Sequence, residues 1–257
     1  MPLTKGNQEI YTHLAAIYDE VMRDIDYEDW ADFIDAVIQK HHPDAQTILE
    51  LAGGTGSFAL SLDELDCYDI TSSDFSEQML DVARSKGQFK GSEVKWLQID
   101  FFKIPTDQKY DVVLMLFDSL NYIRDKESIS SVFKQVKSIL NPGGCFIFDF
   151  TTPQHSIKHA EMMNDQGLTP DNYRFVRISR YLEAEGIHYN EFVIEKLSDD
   201  KQNVLERKHE VHVQKTFTLD EVREVVAKSG LEEVVAYDDL DLIDATNQSD
   251  RITMVIK

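Results

Sequence analysis

Ile48-Leu49-Glu50-Leu51-Ala52-Gly53-Gly54-Thr55-Gly56 is a short, largely apolar run that passes straight into a Gly-rich turn and then a helical pattern. Glycines at such a turn let a ligand approach the backbone. In an open α/β sheet, nucleotide-like ligands sit in the crevice beyond the carboxyl ends of the strands, where the strand order switches. Asp74 lies about 20 residues past Gly54, at the end of the second run, where a carboxylate can accept bonds from both ribose hydroxyls. Asp100 closes the third run in the same way and is placed to accept from an adenine amino group. The glycine spacing also fits a dinucleotide fingerprint, because Ala59 stands at its third glycine position and is an allowed variant. Glu50 tips the balance. An acid just before the glycines repels a pyrophosphate and attracts a cationic amino acid, so the expected ligand carries positive charge.

Working outward, further short runs at Cys67–Ser72, Val94–Ile99, Val112–Phe117 and Cys145–Phe150 alternate with helical patterns, the signature of a parallel, doubly wound α/β sheet. Asp26 is placed to cap a helix whose apolar face carries Tyr27, Trp30, Phe33, Ile34, Val37 and Ile38. A second amphipathic helix holds Ile129, Val132, Phe133, Val136, Ile139 and Leu140, and Asn141-Pro142-Gly143-Gly144 stops it. Beyond Phe150 the pattern changes. Arg174–Ala184, Ile187–Leu197 and Asn203–Gln214 predict an antiparallel three-stranded insert. Thr218-Leu219-Asp220-Glu221 fits a capping box for a helix that Gly230 ends, and strands near Leu231–Tyr237 and Arg251–Ile256 complete the sheet.

The chain has 257 residues, 42 % of them hydrophobic and 28 % charged, with 11 Gly and 6 Pro, which excludes disordered and collagen-like classes. Its 26 Lys and Arg against 47 Asp and Glu give a net charge of −21, a field that repels phosphate backbones and anionic lipid. No nucleic-acid or membrane partner is expected. Val112–Phe117 is the longest apolar run, far short of a membrane span, and MPLTKGNQEI lacks the apolar core of a signal peptide. Cys67 and Cys145 stand alone and read as reduced thiols within strands, consistent with the cytoplasm. No metal-ligand spacing occurs; His209 and His212 would face opposite sides of one strand.

Glu50-Leu51-Ala52-Gly53-Gly54-Thr55-Gly56 resembles the first motif of class I S-adenosylmethionine-dependent methyltransferases. Ser73-Asp74-Phe75-Ser76 and Gln98-Ile99-Asp100-Phe101 resemble the next two, in the family's order and spacing. The stretch from Tyr110 to Tyr122 resembles the fourth-strand motif, and Leu140-Asn141-Pro142-Gly143-Gly144 the turn before strand five. The rest of the chain resembles the branch containing glycine N-methyltransferase-like enzymes and the N,N-dimethyltransferases of amino sugars. That likeness rests on Tyr18-Asp19, on Phe117-Asp118-Ser119-Leu120-Asn121-Tyr122, and on Glu210-Val211-His212-Val213-Gln214. One departure is Ala52, where the family usually has Gly.

The resemblance implies a Rossmann-like sheet of seven strands, mostly parallel with the last antiparallel. It implies a helical lid over 1–44, a cofactor-binding core over 45–150, an antiparallel insert over 151–216 that covers the substrate, and a C-terminal helix with two strands over 217–257. Glu50 and the Ala52 backbone would hold the methionine end of S-adenosylmethionine, Gly54 and Gly56 would let it approach, and the Leu116 carbonyl would face its amino group. Asp74, beside Phe75, would bind the ribose, and Asp100 with Phe101 the adenine. The reaction expected is in-line methyl transfer to a small molecule, with an amine as first choice of acceptor. Tyr18 is the lid candidate and Asp118 the residue beside the acceptor, whereas Tyr27 and Trp30, on an apolar stripe, read as core. The alternatives are a tRNA or protein methyltransferase, or a regulatory module that binds the cofactor without turnover. An exposed insert strand also leaves room for a homodimer.

Overall fold

A computed structural model describes residues 10–257. The chain opens on a 3-10 turn at Leu14–Ala16 and a short helix α1 (Tyr18–Val21), followed by α2 (Tyr27–His41). The Asp26 side chain accepts from the Glu28 and Asp29 amides at the start of α2, so the expected cap forms. The core then alternates β1 (Thr47–Leu51), α3 (Ser57–Asp63), β2 (Asp69–Asp74), α4 (Glu77–Lys90), β3 (Lys95–Gln98), β4 (Tyr110–Met115), α5 (Lys126–Ile139) and β5 (Leu140–Thr151). After α6 (Pro153–His159) come four strands: β6 (Asp165–Leu168), β7 (Tyr173–Leu182), β8 (Ile187–Leu197) and β9 (Val204–Lys215). The chain returns through α7 (Leu219–Ser229), β10 (Glu233–Asp238) and β11 (Arg251–Ile256). Thr218 and Glu221 make the reciprocal capping box at the start of α7.

The main sheet has seven strands in the order β10-β11-β5-β4-β1-β2-β3. β1 pairs in parallel with both β2 and β4, which puts the switch in strand order beside the Gly-rich turn. β11 alone is antiparallel to its neighbours, β5 and β10. One apolar layer, with Val132, Phe133, Val136, Val222 and Val225, lies between the sheet and α5 and α7. The other, with Trp30, Ile34, Val37, Phe58 and Leu62, packs α2 and α3 on the opposite face. This is the Rossmann-like arrangement expected.

The insert differs from expectation in having four strands, β6-β7-β8-β9, rather than three. β6 is only Asp-Gln-Gly-Leu, with low strand propensity, and it exists because β7 offers it an edge. Gly167 in it lies beneath the Phe175 ring, where a Cβ would clash. Asn141 to Gly144 do not end the helix as a free turn but loop out within β5, between the Tyr110–Leu140 and Val112–Cys145 pairings. Cys145 is buried in β5 as expected, but Cys67 is exposed and precedes β2. No helix among the described residues is long and apolar enough to cross a membrane.

Candidate active site

β1 ends in Ala52, whose φ of 57° lies in the left-handed region, and the chain then reverses through three glycines toward α3. At Gly53 a Cβ would collide with the Glu50 carboxylate and the Ser72 hydroxyl, so only glycine fits there. Its amide donates to the Ser73 carbonyl at 2.8 Å, which ties the turn to β2. The Gly54 amide donates to Asp74 Oδ2 at 2.9 Å and the Ser76 amide to Oδ1 at 2.8 Å. Burial raises the Asp74 pKa, and amide hydrogen bonds from Ser76, Gly54 and Phe75 oppose that rise. Ser76 rather than Asp74 caps α4, through its side chain on the Met79 amide. Glu50 is buried and accepts from the Ser72 hydroxyl; burial lifts its pKa to about 7.

Above this turn lies a partly enclosed cavity. Seven of the residues singled out in the sequence line it: Tyr18, Ala52, Gly54, Asp74, Phe75, Asp100 and Phe101. Four stand behind the wall. Glu50 lies under Gly53, and Gly56 starts α3 where a Cβ would strike Trp96. The Leu116 carbonyl accepts from the Ser119 hydroxyl at 2.8 Å. Asp118 is held by Arg251 Nη2 at 3.0 Å and by the Gln214 amide. Asp100 Oδ1 accepts from the Phe102 amide at 2.9 Å, which fixes its carboxylate.

Tyr27 lines the cavity, whereas its stripe-mate Trp30 stays in the core. Both rings pack on Phe117, at centroid distances of 5.4 and 4.5 Å. Phe117 and Asp118 are left-handed in succession, with φ of 57° and 52°, so β4, like β1, ends in strained backbone beside the switch point. Buried Asp149 holds that strain by accepting the Asp118 amide on both oxygens, each at 3.2 Å. The N-terminal segment is fastened to the turn as well: Asp19 Oδ1 accepts from the Thr55 hydroxyl at 2.6 Å.

The same cavity is lined by part of a cluster that sequence spacing did not assign. Tyr11 and Tyr122 line the cavity, and their hydroxyls meet at 2.5 Å. The Tyr122 hydroxyl also meets His212 Nδ1 at 3.0 Å, and His212 Nε2 meets Glu210 Oε2 at 3.3 Å. Burial opposes the Glu210 charge, but His212 and the His13 and Leu14 amides outweigh it and lower the pKa. The result is a hydrogen-bonded path from the cavity to a buried carboxylate, the arrangement by which a proton leaves a reacting group. His209, by contrast, is an exposed partner of Glu191 at 2.7 Å. Tyr122 and His212 lay within motifs visible in the sequence, but nothing there paired them.

Residues 48–144 match the family model described as a methyltransferase domain. The Bacillus subtilis protein YqeM, which carries a provisional methyltransferase name, is 30% identical over 228 residues, covering 87% of each chain. The chain belongs to the class I S-adenosylmethionine-dependent methyltransferases. Its fold agrees over nearly all of the chain with an S-adenosylmethionine-dependent methyltransferase from Clostridium acetobutylicum, at TM-score 0.78 and 23% identity over 95% of this chain and 97% of that one. The sugar N-methyltransferase KedS8 of a Streptoalloteichus species aligns at TM-score 0.70 and 19% identity, over 93% and 92%. The cofactor of this methyltransferase is therefore S-adenosylmethionine, and the cradle fits it. Backbone at Ala52 and Gly54 and the Asp74 carboxylate face one cavity, and rings at Phe75 and Phe101 line the same wall.

Proposed function

We infer that this methyltransferase acts on a small molecule and that its acceptor atom is an amine nitrogen. Bound S-adenosylmethionine supplies an electrophilic methyl on a sulfonium centre. In this assignment Asp74 takes the ribose hydroxyls, Asp100 and Phe101 the adenine, and the Ala52 backbone the methionine end. Glu50 acts on that end through its charge, from beneath the turn. Tyr18 and Tyr27 exclude water, and Tyr122 with His212 receives the proton that a methylated amine releases. The observation that carries the reading is one cavity lined by Ala52, Gly54, Asp74 and Asp100 and also by Tyr11 and Tyr122, with His212 bonded behind Tyr122. The fold shared with KedS8, a sugar N-methyltransferase, supports a small acceptor. The charge of −21 argues against a nucleic-acid substrate, and the free thiols Cys67 and Cys145 support a cytoplasmic enzyme.

Calorimetric titration with S-adenosylmethionine, S-adenosylhomocysteine and NAD tests the cradle: the first two bind and NAD does not. Asp74→Ala keeps the fold and loses about 1.5–3 kcal/mol of cofactor affinity, the range for hydrogen bonds to a charged group. Unchanged affinity would remove Asp74 from the site. Amines are then screened by S-adenosylhomocysteine release; binding with no turnover on any acceptor would favour a regulatory module.

A further inference from the structure

Besides Phe175, Phe192 and Ile194, the inner face of the insert carries polar groups, and these are claimed one by one. On β7 and β8, His188 lies between the Ser179 and Ser156 hydroxyls, at 2.7 and 2.8 Å. On β9, Glu210 holds backbone amides, His212 meets Tyr122, and Gln214 donates to Asp118. Arg177, on the same face of β7, is the exception. Its Nε donates to Asn190 Oδ1 at 2.9 Å and its guanidinium lies 5.6 Å from the Phe192 ring centre. Its two terminal nitrogens have no hydrogen-bond or carboxylate partner among the described residues.

The carboxylates nearby are already taken. Asp165, directly across from Arg177 in the β6–β7 pairing, is gripped by Arg23 at 3.0 and 3.3 Å. Asp118 is shared between Arg251 and Gln214. No sealed polar side-chain atom among the described residues lacks a partner, so the open fork of Arg177 must face accessible space. The Phe192 ring beside Arg177 lies 5.5 Å from the His212 ring, which ties the guanidinium to the Tyr122–His212 pair. Tyr122 and Tyr11, in turn, line the cavity.

A half-buried guanidinium with a free planar fork is suited to one kind of partner, an oxyanion that accepts two parallel N–H bonds. We propose that Arg177 is the anchor for an oxyanion on the methyl acceptor, a carboxylate or a phosphate, which orients the acceptor's nucleophile toward Tyr122 and His212. The proposal rests on the methyltransferase site described above and narrows its substrates to anionic or zwitterionic small molecules.

The test uses the full-length protein saturated with S-adenosylhomocysteine, titrated with sodium acetate and, separately, with inorganic phosphate at constant ionic strength. Binding is followed by calorimetry and by the Arg177 Nε–H resonance. The expected result is binding of at least one probe with a shift of that resonance, and the probe that binds tells carboxylate from phosphate. Arg177→Met weakens it roughly ten- to hundredfold while S-adenosylhomocysteine affinity stays the same. Arg177→Lys, which keeps the charge without the fork, falls between and guards against a folding artefact. Neither probe binding to the wild type, or equal binding to Arg177→Met, overturns the anchor. Failure of S-adenosylhomocysteine itself to bind would instead overturn the cofactor site, so the two readings fail separately.

Discussion

Glu50 shows most plainly, at the scale of one residue, what the fold gives up by burying an acid. Burial holds its pKa at about 7, whereas an unfolded chain releases that proton near pH ~4.3. Between those values the folded state binds more protons than the unfolded one, so the Glu50 contribution is present at low pH and is lost as pH rises to about 7. Glu50→Gln removes this loss. The variant should match the wild type near pH 4 and exceed it by up to about 3 kcal/mol at pH 8 in urea unfolding. Parallel pH profiles for the two proteins would show that water reaches the carboxylate. Retaining an acid where a neutral amide is more stable is a cost in stability that the proposed role of Glu50 toward a cationic ligand would explain. Ala52 is a smaller instance of the same trade, since a left-handed φ of 57° strains any residue with a Cβ.

At the scale of elements, β9 and the N-terminal segment act as one unit. Glu210 accepts the amides of Tyr11, His13 and Leu14 at 2.9, 2.5 and 3.1 Å, so the strand that carries His212 also fastens the segment that carries Tyr11. Leu14 and Ile17 pack there on Phe175, Phe192 and Ile194 of the insert. Hydrogen exchange reads this latch directly. Glu210→Ala should speed exchange at those three amides roughly ten- to hundredfold, while the Val21 amide, bonded locally to the Ile17 carbonyl, changes little. Uniform acceleration along 10–21 would mean that Glu210 holds the whole N-terminal segment rather than its first turn.

For the whole molecule the decisive joint is Arg251. From β11 it pairs with Asp149 of β5 and, at 3.0 Å, with Asp118 beyond β4, and it lies 5.6 Å from the Trp30 ring centre of α2. Burial lifts Asp149 to a pKa of about 6 even with Arg251 beside it. Removing one partner leaves buried charge unpaired, so Arg251→Met should destabilise the protein by about 3–5 kcal/mol in denaturant unfolding. A loss below about 1 kcal/mol would place these charges in effective contact with solvent. The joint also supports Phe117 and Asp118 in their strained backbone, which is how the far edge of the sheet reaches the site.

Much of the fold was legible because it depends on local pattern. Period and capping gave α2, α5 and α7, and apolar runs gave β1 to β5. The cradle at Ala52, Gly54 and Asp74 was legible too, because a strand, a Gly-rich turn and a following acid are fixed by short-range geometry. β6 was not, since four residues of low propensity become a strand only beside β7. Nor was the Tyr11–Tyr122–His212 cluster, whose members are up to 201 residues apart in number and meet only when the insert folds back over β4. Asp118 looked free in the sequence, and Arg251, 133 residues away, claims it. The sequence by itself determined the sheet, its turn and the class of ligand, because each is encoded within a few neighbouring residues. Tertiary structure alone decided which side chains face the cavity and which stay buried in ion pairs, because that depends on contacts between distant elements.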